Sequence, residues 1–276
     1  MASNLDKILL LRSIWSFRVH WTLNPRSTAL DLFLNAICQL YAADNYIEYG
    51  AFKGESAFFN TSLTTHGYLI DNFSQVNYYK NFDKQKIINH DVVSRNIQQL
   101  LQINMQLIGN TNYSIIDMDV KNNAIIDKDA GVIFWDLFNK NRDIEVDCLL
   151  NVINDCITKS KKVIIIVDDA VHERGYDNIL FNRKWKKIYE SEISKYFTPL
   201  AVTNNRVYLS NFQVDTGFNK ILQLFEKIKY IKQQQPSNTS ELYGQPIYDP
   251  IIDFSSMEFI ENDQLWTDLS KFLPNI

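Results

Sequence analysis

Five acidic residues of this chain fall at or beside the ends of expected β-strands: Glu48, Asp71, Asp136, Asp168 and Asp169. A carboxylate so placed accepts hydrogen bonds from hydroxyls and amides, and takes up a proton where its surroundings disfavour charge. Glu48 also opens the run Glu48-Tyr49-Gly50-Ala51-Phe52-Lys53-Gly54-Glu55-Ser56. Glycines such as Gly50 and Gly54 let a backbone turn sharply and approach a ligand, and the helix expected from Ser56 begins with unpaired N–H groups. Asp71 ends the following strand, where its oxygens would accept hydrogen bonds from a ribose diol. Of the four histidines His20, His66, His90 and His172, only His172 neighbours a strand end. Three residues past Asp169, it is within reach of a substrate hydroxyl, and imidazole titrates near neutral pH.

These residues need a scaffold, and the apolar spacing supplies one. Leu30, Phe33, Leu34, Ile37, Cys38, Leu40 and Tyr41 recur at helical spacing between Ser27 and Ala43. Strands are expected at Asn45–Tyr49, Gly67–Asp71, Tyr113–Met118, Gly131–Asp136 and Lys162–Asp168, with helices at about 92–101, 144–157, 184–194 and 217–234. The run Val163-Ile164-Ile165-Ile166-Val167 is apolar on both faces, as a strand covered by helices on each side requires. Asn204-Asn205 separates two further strands, 197–203 and 206–212, as a tight hairpin. The expected fold is therefore α/β: a doubly wound, Rossmann-like, mostly parallel sheet with a terminal antiparallel hairpin. Ligands of such sheets sit outside the carboxyl ends of the strands, which is where the acidic residues lie.

Composition narrows the partners. The chain has 276 residues, is 46% hydrophobic and carries a formal net charge of −4, so it can bury a sizeable core but offers no basic stripe for a phosphate backbone. Nucleic acid and membrane are not expected partners, and a small-molecule substrate is. Cys38, Cys148 and Cys156 lack metal-ligand spacing and read as small buried hydrophobes in a reducing, cytoplasmic setting. The organisation expected is a domain over residues 1–232, a linker at 233–240 rich in Gln, Ser and Pro, and a tail at 241–276. The tail's Tyr243, Tyr248, Phe254, Phe259, Trp266 and Phe272 suit packing on the domain or on a partner, a second copy of the chain included.

The run from Tyr46 to Ser56 resembles the E-x-G-x-x-x-G-x-S motif of class I S-adenosylmethionine-dependent methyltransferases of the small-molecule and sugar O-methyltransferase type, the macrocin O-methyltransferase and cephalosporin-hydroxylase-like group. Leu69-Ile70-Asp71-Asn72-Phe73 looks like the group's ribose-binding segment and Val167-Asp168-Asp169 like its paired aspartates, so the resemblance spans about residues 30–215. It implies that Glu48, Gly50, Gly54 and Ser56 line the cofactor, that Asp71 holds its ribose and that Asp119 faces the adenine. It also implies a divalent ion, Mg²⁺ by its all-oxygen ligands, held by Asp136, Asp168 and Asp169. The chain departs from the group in two places. Phe134-Trp135-Asp136-Leu137-Phe138 carries one acid where the group has two around a glycine, and Thr158-Lys159-Ser160-Lys161-Lys162 replaces a glycine-rich turn.

The function so implied is methyl transfer to an oxygen of a small molecule, with Asp136 and His172 as the candidate catalytic residues. Two alternatives stay open: a methyltransferase-fold binding or assembly protein without turnover, and an RNA ribose methyltransferase.

Overall fold

The computed structural model describes residues 45–52, 54, 56–57, 66–73, 97–107, 111–125, 128–137, 142–170, 176–203, 206–215, 217–219, 232–234 and 247–249, with residues 34, 37, 38, 40 and 41. Seven strands form the body of one sheet: β1 (Asn45–Tyr49), β2 (His66–Asp71), β3 (Tyr113–Asp117), β4 (Val132–Trp135), β5 (Ile164–Val167), β6 (Thr198–Thr203) and β7 (Arg206–Ser210). Among the described residues three helices lie between them along the chain: α1 (Ile97–Leu107), α2 (Arg142–Thr158) and α3 (Tyr176–Ser191). In space the order is β3-β2-β1-β4-β5-β7-β6. The first five strands are parallel, and β7 runs antiparallel between β5 and β6. This is the expected doubly wound α/β sheet with its terminal hairpin. The chain works outward from β1 to β3, then returns to build β4 and β5 on the other side, so the switch point lies between β1 and β4.

Alternation along the strands decides what each face buries. Ile47, Tyr49, Ile133, Trp135, Ile165, Val167, Val207 and Leu209 point to one side and form a single cluster with Val146, Leu149, Val152, Ile153 and Cys156 of α2 and Phe181, Trp185 and Tyr189 of α3. Tyr46, Glu48, Phe134, Ile166 and Tyr208, the intervening residues, point to the other. Helical residues Leu34, Ile37 and Cys38 are buried, and the charge of Glu48 acts on the Cys38 thiol, which places that segment on the second face. All three cysteines are free thiols and buried.

Local signals set the helix limits. Asp143 and Glu145 stand in the first turn of α2, where the helix dipole favours negative charge. At the other end Ser160 takes a left-handed conformation (φ 51°), its N–H bonding the Ile157 carbonyl at 3.0 Å while that of Lys161 bonds the Cys156 carbonyl at 3.0 Å. These two bonds are a Schellman cap, so a serine does here what a glycine does in the related turns.

Two short strands extend the sheet beyond β6. Ile247–Asp249 (β9) lies parallel to β6 and Lys232–Gln234 (β8) antiparallel to β9. Residues 232–234 were expected to end a helix and begin a linker. They form a strand because pairing with β9 satisfies backbone groups that a linker would leave to water. No helix among the described residues is long and apolar enough to cross a membrane.

The tightest point of the sheet is where β1 leaves it. Gly50 has φ +90°, and a β-carbon there would lie 2.1 Å from the carbonyl oxygen of Asp136 and 2.6 Å from its carbon. A methyl group cannot share that space with backbone. Gly50→Ala is expected to cost about 3 kcal/mol or more in urea unfolding, from the clash and the left-handed φ together. Unchanged stability would mean that β1 and β4 do not meet this closely.

Candidate active site

One row of residues crosses the carboxyl ends of the strands. The pairs Tyr49↔Ile70, Tyr49↔Trp135, Trp135↔Val167 and Val167↔Val207 are the last in their ladders, and Asp71↔Asp117 closes the β2–β3 ladder. One step further along each strand gives Asp117, Asp71, Gly50, Asp136, Asp168 and Arg206 in spatial order. Six strand ends thus bring four carboxylates, a glycine and an arginine to one edge of the sheet.

Asp71 holds the turn after β1. Its Oδ2 accepts the Phe52 N–H at 2.8 Å and its Oδ1 the Asn72 N–H at 2.7 Å. The turn it grips is conformationally unusual, with positive φ at Gly50 (90°), Phe52 (44°) and Gly54 (84°), and it is tied down by N–H bonds from Gly50 and Ala51 to the Ile70 carbonyl at 2.9 and 3.1 Å. Each carboxylate oxygen has a second acceptor site beyond the one the backbone uses. Burial pushes the Asp71 pKa up to about 6, against the two backbone hydrogen bonds that lower it, and Asp117 adds a smaller raising effect. Asp117 in turn accepts the Phe73 N–H at 3.0 Å, fixing the loop that follows β2.

On the other side of Gly50 the carboxylates meet a cation, and it belongs to the protein. Arg206 Nε lies 3.2 Å from Asp168 Oδ2, with the arginine side chain 9% and the aspartate 16% exposed. The guanidinium carbon stands 4.8 Å over the centre of the Phe134 ring, a cation–π contact. Asp168 Oδ1 accepts the N–H of Asp169 at 2.8 Å, and Asp169 adopts a left-handed backbone (φ 58°). Asp136 is exposed to solvent on one side and ringed by protein on the other. Loss of bulk water around it, then the charge of Asp168, raises its pKa well above the ordinary carboxylate range; Asp169 and Glu48 add to the shift and Arg206 opposes it.

This arrangement corrects the expected metal centre. Among the described residues no group of three His, Cys, Asp or Glu side chains is placed to hold an ion, Asp136, Asp168 and Asp169 included. Arg206 already supplies a positive charge to Asp168, and a second cation beside the guanidinium would be repelled: at an effective dielectric of about 20, unit charges ~4 Å apart interact by roughly 4 kcal/mol. The residues present do not fit Mg²⁺.

The other expected site residues divide by position. Glu48 is 2% exposed and accepts the Tyr46 hydroxyl at 2.9 Å, so it lies beneath the turn rather than at its surface. Ser56 is buried as well, at 7%. Gly54 donates its N–H to the Ala51 carbonyl at 2.7 Å and closes the turn. Asp119 uses Oδ1 to accept the Lys121 N–H at 3.0 Å within its own turn, and the residue in line with Asp71 is Asp117 instead. His172 lies outside the described residues. Arg206 was missed altogether. Its signal was present: an arginine opening the strand that pairs with the Asp168 strand falls opposite Asp168 once β7 is inserted beside β5.

The architecture has counterparts among solved structures. An O-methyltransferase from Bacillus cereus in complex with SAH matches at 13% identity and a TM-score of 0.50, over 76% of this chain and 91% of that one. Cofactor-bound Rv0187 from MTB matches at 11% and 0.50, over 76% and 97%. A Klebsiella pneumoniae protein assigned to the O-methyltransferases matches at 13% and 0.50, over 76% and 90%. The chain has the class I methyltransferase fold. No protein-family model matches the sequence, and neither does any curated protein. In the methyltransferase fold the β1 turn and the end of β2 face the switch point, and in this chain they carry Gly50, Gly54 and Asp71.

The raised pKa of Asp71 has a consequence for stability. A carboxyl group that titrates at about 6 folded and near 3.8 unfolded binds its proton more tightly when folded. Its contribution is full below about 3.8 and is lost as pH rises through 6, so between those limits acidification favours the folded state by up to ~3 kcal/mol. The stability difference between wild type and Asp71→Asn should therefore grow in favour of wild type as pH falls from 7 to 4, in urea titrations at each pH. A difference independent of pH would show that Asp71 is not desolvated.

Proposed function

We propose that the chain is an S-adenosylmethionine-dependent methyltransferase acting on an oxygen of a small molecule, a sugar among the candidates. The observation that carries the reading is the Asp71 carboxylate, clamped at the switch point against a turn with three positive φ angles, with an acceptor site left on each oxygen. That geometry suits a ribose diol, whose two hydroxyls would each donate to one oxygen. The turn at 50–54 would flank the rest of the cofactor, and the class I fold of the SAH-bound and cofactor-bound neighbours supports the choice of ligand.

The bound cofactor would supply an electrophilic methyl group on a sulfonium sulfur. The residues supply position and a proton acceptor. Asp136, one strand from the turn and open to solvent, faces the place an acceptor hydroxyl would occupy. A carboxylate whose pKa is raised is the stronger base, so Asp136 would take the hydroxyl proton as the oxygen bonds to the methyl carbon and the carbon–sulfur bond breaks. Holding the two reactants in line is the larger part of the rate gain.

Calorimetry with S-adenosylmethionine and S-adenosylhomocysteine tests the reading. Wild type should bind both, and Asp71→Asn should bind each at least about tenfold more weakly, ~1.4 kcal/mol. Because the diol requires the carboxylate form, wild-type affinity should fall as pH drops through about 6, while that of Asp71→Asn stays level. A folded protein that binds neither ligand would leave a methyltransferase-fold binding or assembly protein.

A further inference from the structure

The chain carries three carboxylates at two adjacent strand ends and yet does not present them as a cation site. Parallel pairing of β4 and β5 puts Asp136 beside Asp168, with Asp169 next in the chain. Antiparallel pairing of β5 and β7 puts Arg206 opposite Asp168. The arginine is held there from two sides, by Asp168 Oδ2 at 3.2 Å and by the face of Phe134 at 4.8 Å, and it is almost fully enclosed. The second oxygen of Asp168 accepts the Asp169 N–H at 2.8 Å, which fixes how the carboxylate is turned. An enclosed, always-charged guanidinium is a permanent feature of the site rather than a solvated side chain that an arriving ion could displace.

We propose that Arg206 is the built-in counter-charge of this acidic cluster, standing where related sites would hold a divalent cation and leaving Asp136 to meet the acceptor. Arg206 is thus a positioning residue: it fixes Asp168 and sets the charge that Asp136 faces. The methyl-transfer reading concerns the same edge of the sheet, but cation binding is measured without any cofactor, so either proposal fails independently of the other.

The test is Mn²⁺ binding to the full chain, followed by the electron paramagnetic resonance signal of the free ion. Wild type should show no binding that Asp168→Asn abolishes. Arg206→Gln removes the counter-charge and should raise Mn²⁺ affinity at least about tenfold over wild type, ~1.4 kcal/mol. Adding Asp168→Asn should cancel the gain, and Arg206→Lys, which keeps the charge, should stay at the wild-type level. An Asp168-dependent Mn²⁺ site in wild type would overturn the proposal. A folded Arg206→Gln with unchanged affinity, or an equal gain in Arg206→Lys, would do the same. Should Arg206→Gln not fold, wild type and Asp168→Asn decide alone: equal affinity supports the proposal, and a loss on substitution refutes it.

Discussion

At Gly50 the chain passes so close to the carbonyl of Asp136 that no side chain fits there. Much of the site depends on that contact. It ends β1 and β4 at the same height, so the turn after β1 and the carboxylate after β4 emerge side by side. It forces the chain at Gly50 into a positive φ, from which the turn continues through Phe52 and Gly54 in the same region. A turn with that path leaves the Phe52 N–H pointing at β2, and Asp71 is there to accept it. A glycine first suspected of making room for a ligand makes room for the protein's own backbone.

Three carboxylates on neighbouring strand ends meet three different fates, and the difference lies in what neutralises each. Asp71 is satisfied by backbone N–H groups, which orient it but leave it costly to ionise in a desolvated place. Asp168 is satisfied by Arg206, a full charge in van der Waals contact with an aromatic face. Asp136 has lost bulk water around its carboxyl group and faces the charge of Asp168, so its pKa is raised well above the ordinary carboxylate range. Similar residues at similar places in a sheet thus differ in state because the groups next to each of them differ.

The sheet was legible in the sequence because its signals are local. Asn45–Tyr49 was read with the limits the structure shows, and the β-branched run around Ile164–Val167 identified the strand buried on both faces. Helix α3 starts at Tyr176, eight residues before the expected start at Lys184, because its first turns carry polar residues that mask the apolar period. The geometry of the candidate site was legible only where topology fixes its partners, as with the approach of Asp71 to the turn after Gly50. The Arg206–Asp168 pair joins residues 38 apart through a strand insertion that a hairpin motif alone does not reveal. The resemblance therefore implied a metal beside these acids, whereas the cation that Asp168 meets comes from the strand paired with its own. Strand β8 escaped for the same reason: three polar residues acquire strand structure only from the partner that pairs with them.

That added pair of strands also bears on how the molecule meets its own kind. The hairpin of β6 and β7 would otherwise present Val202 and Thr203 on an open margin, a row of backbone donors and acceptors able to template another chain. Ile247–Asp249 occupies those groups, and the margin passes to Lys232–Gln234, a strand of three polar residues that begins with a lysine. Short length and positive charge are what discourage edge-to-edge growth. Ile247–Asp249 therefore acts as a selvage for the sheet, and without it the β6 margin would be a sticky seam.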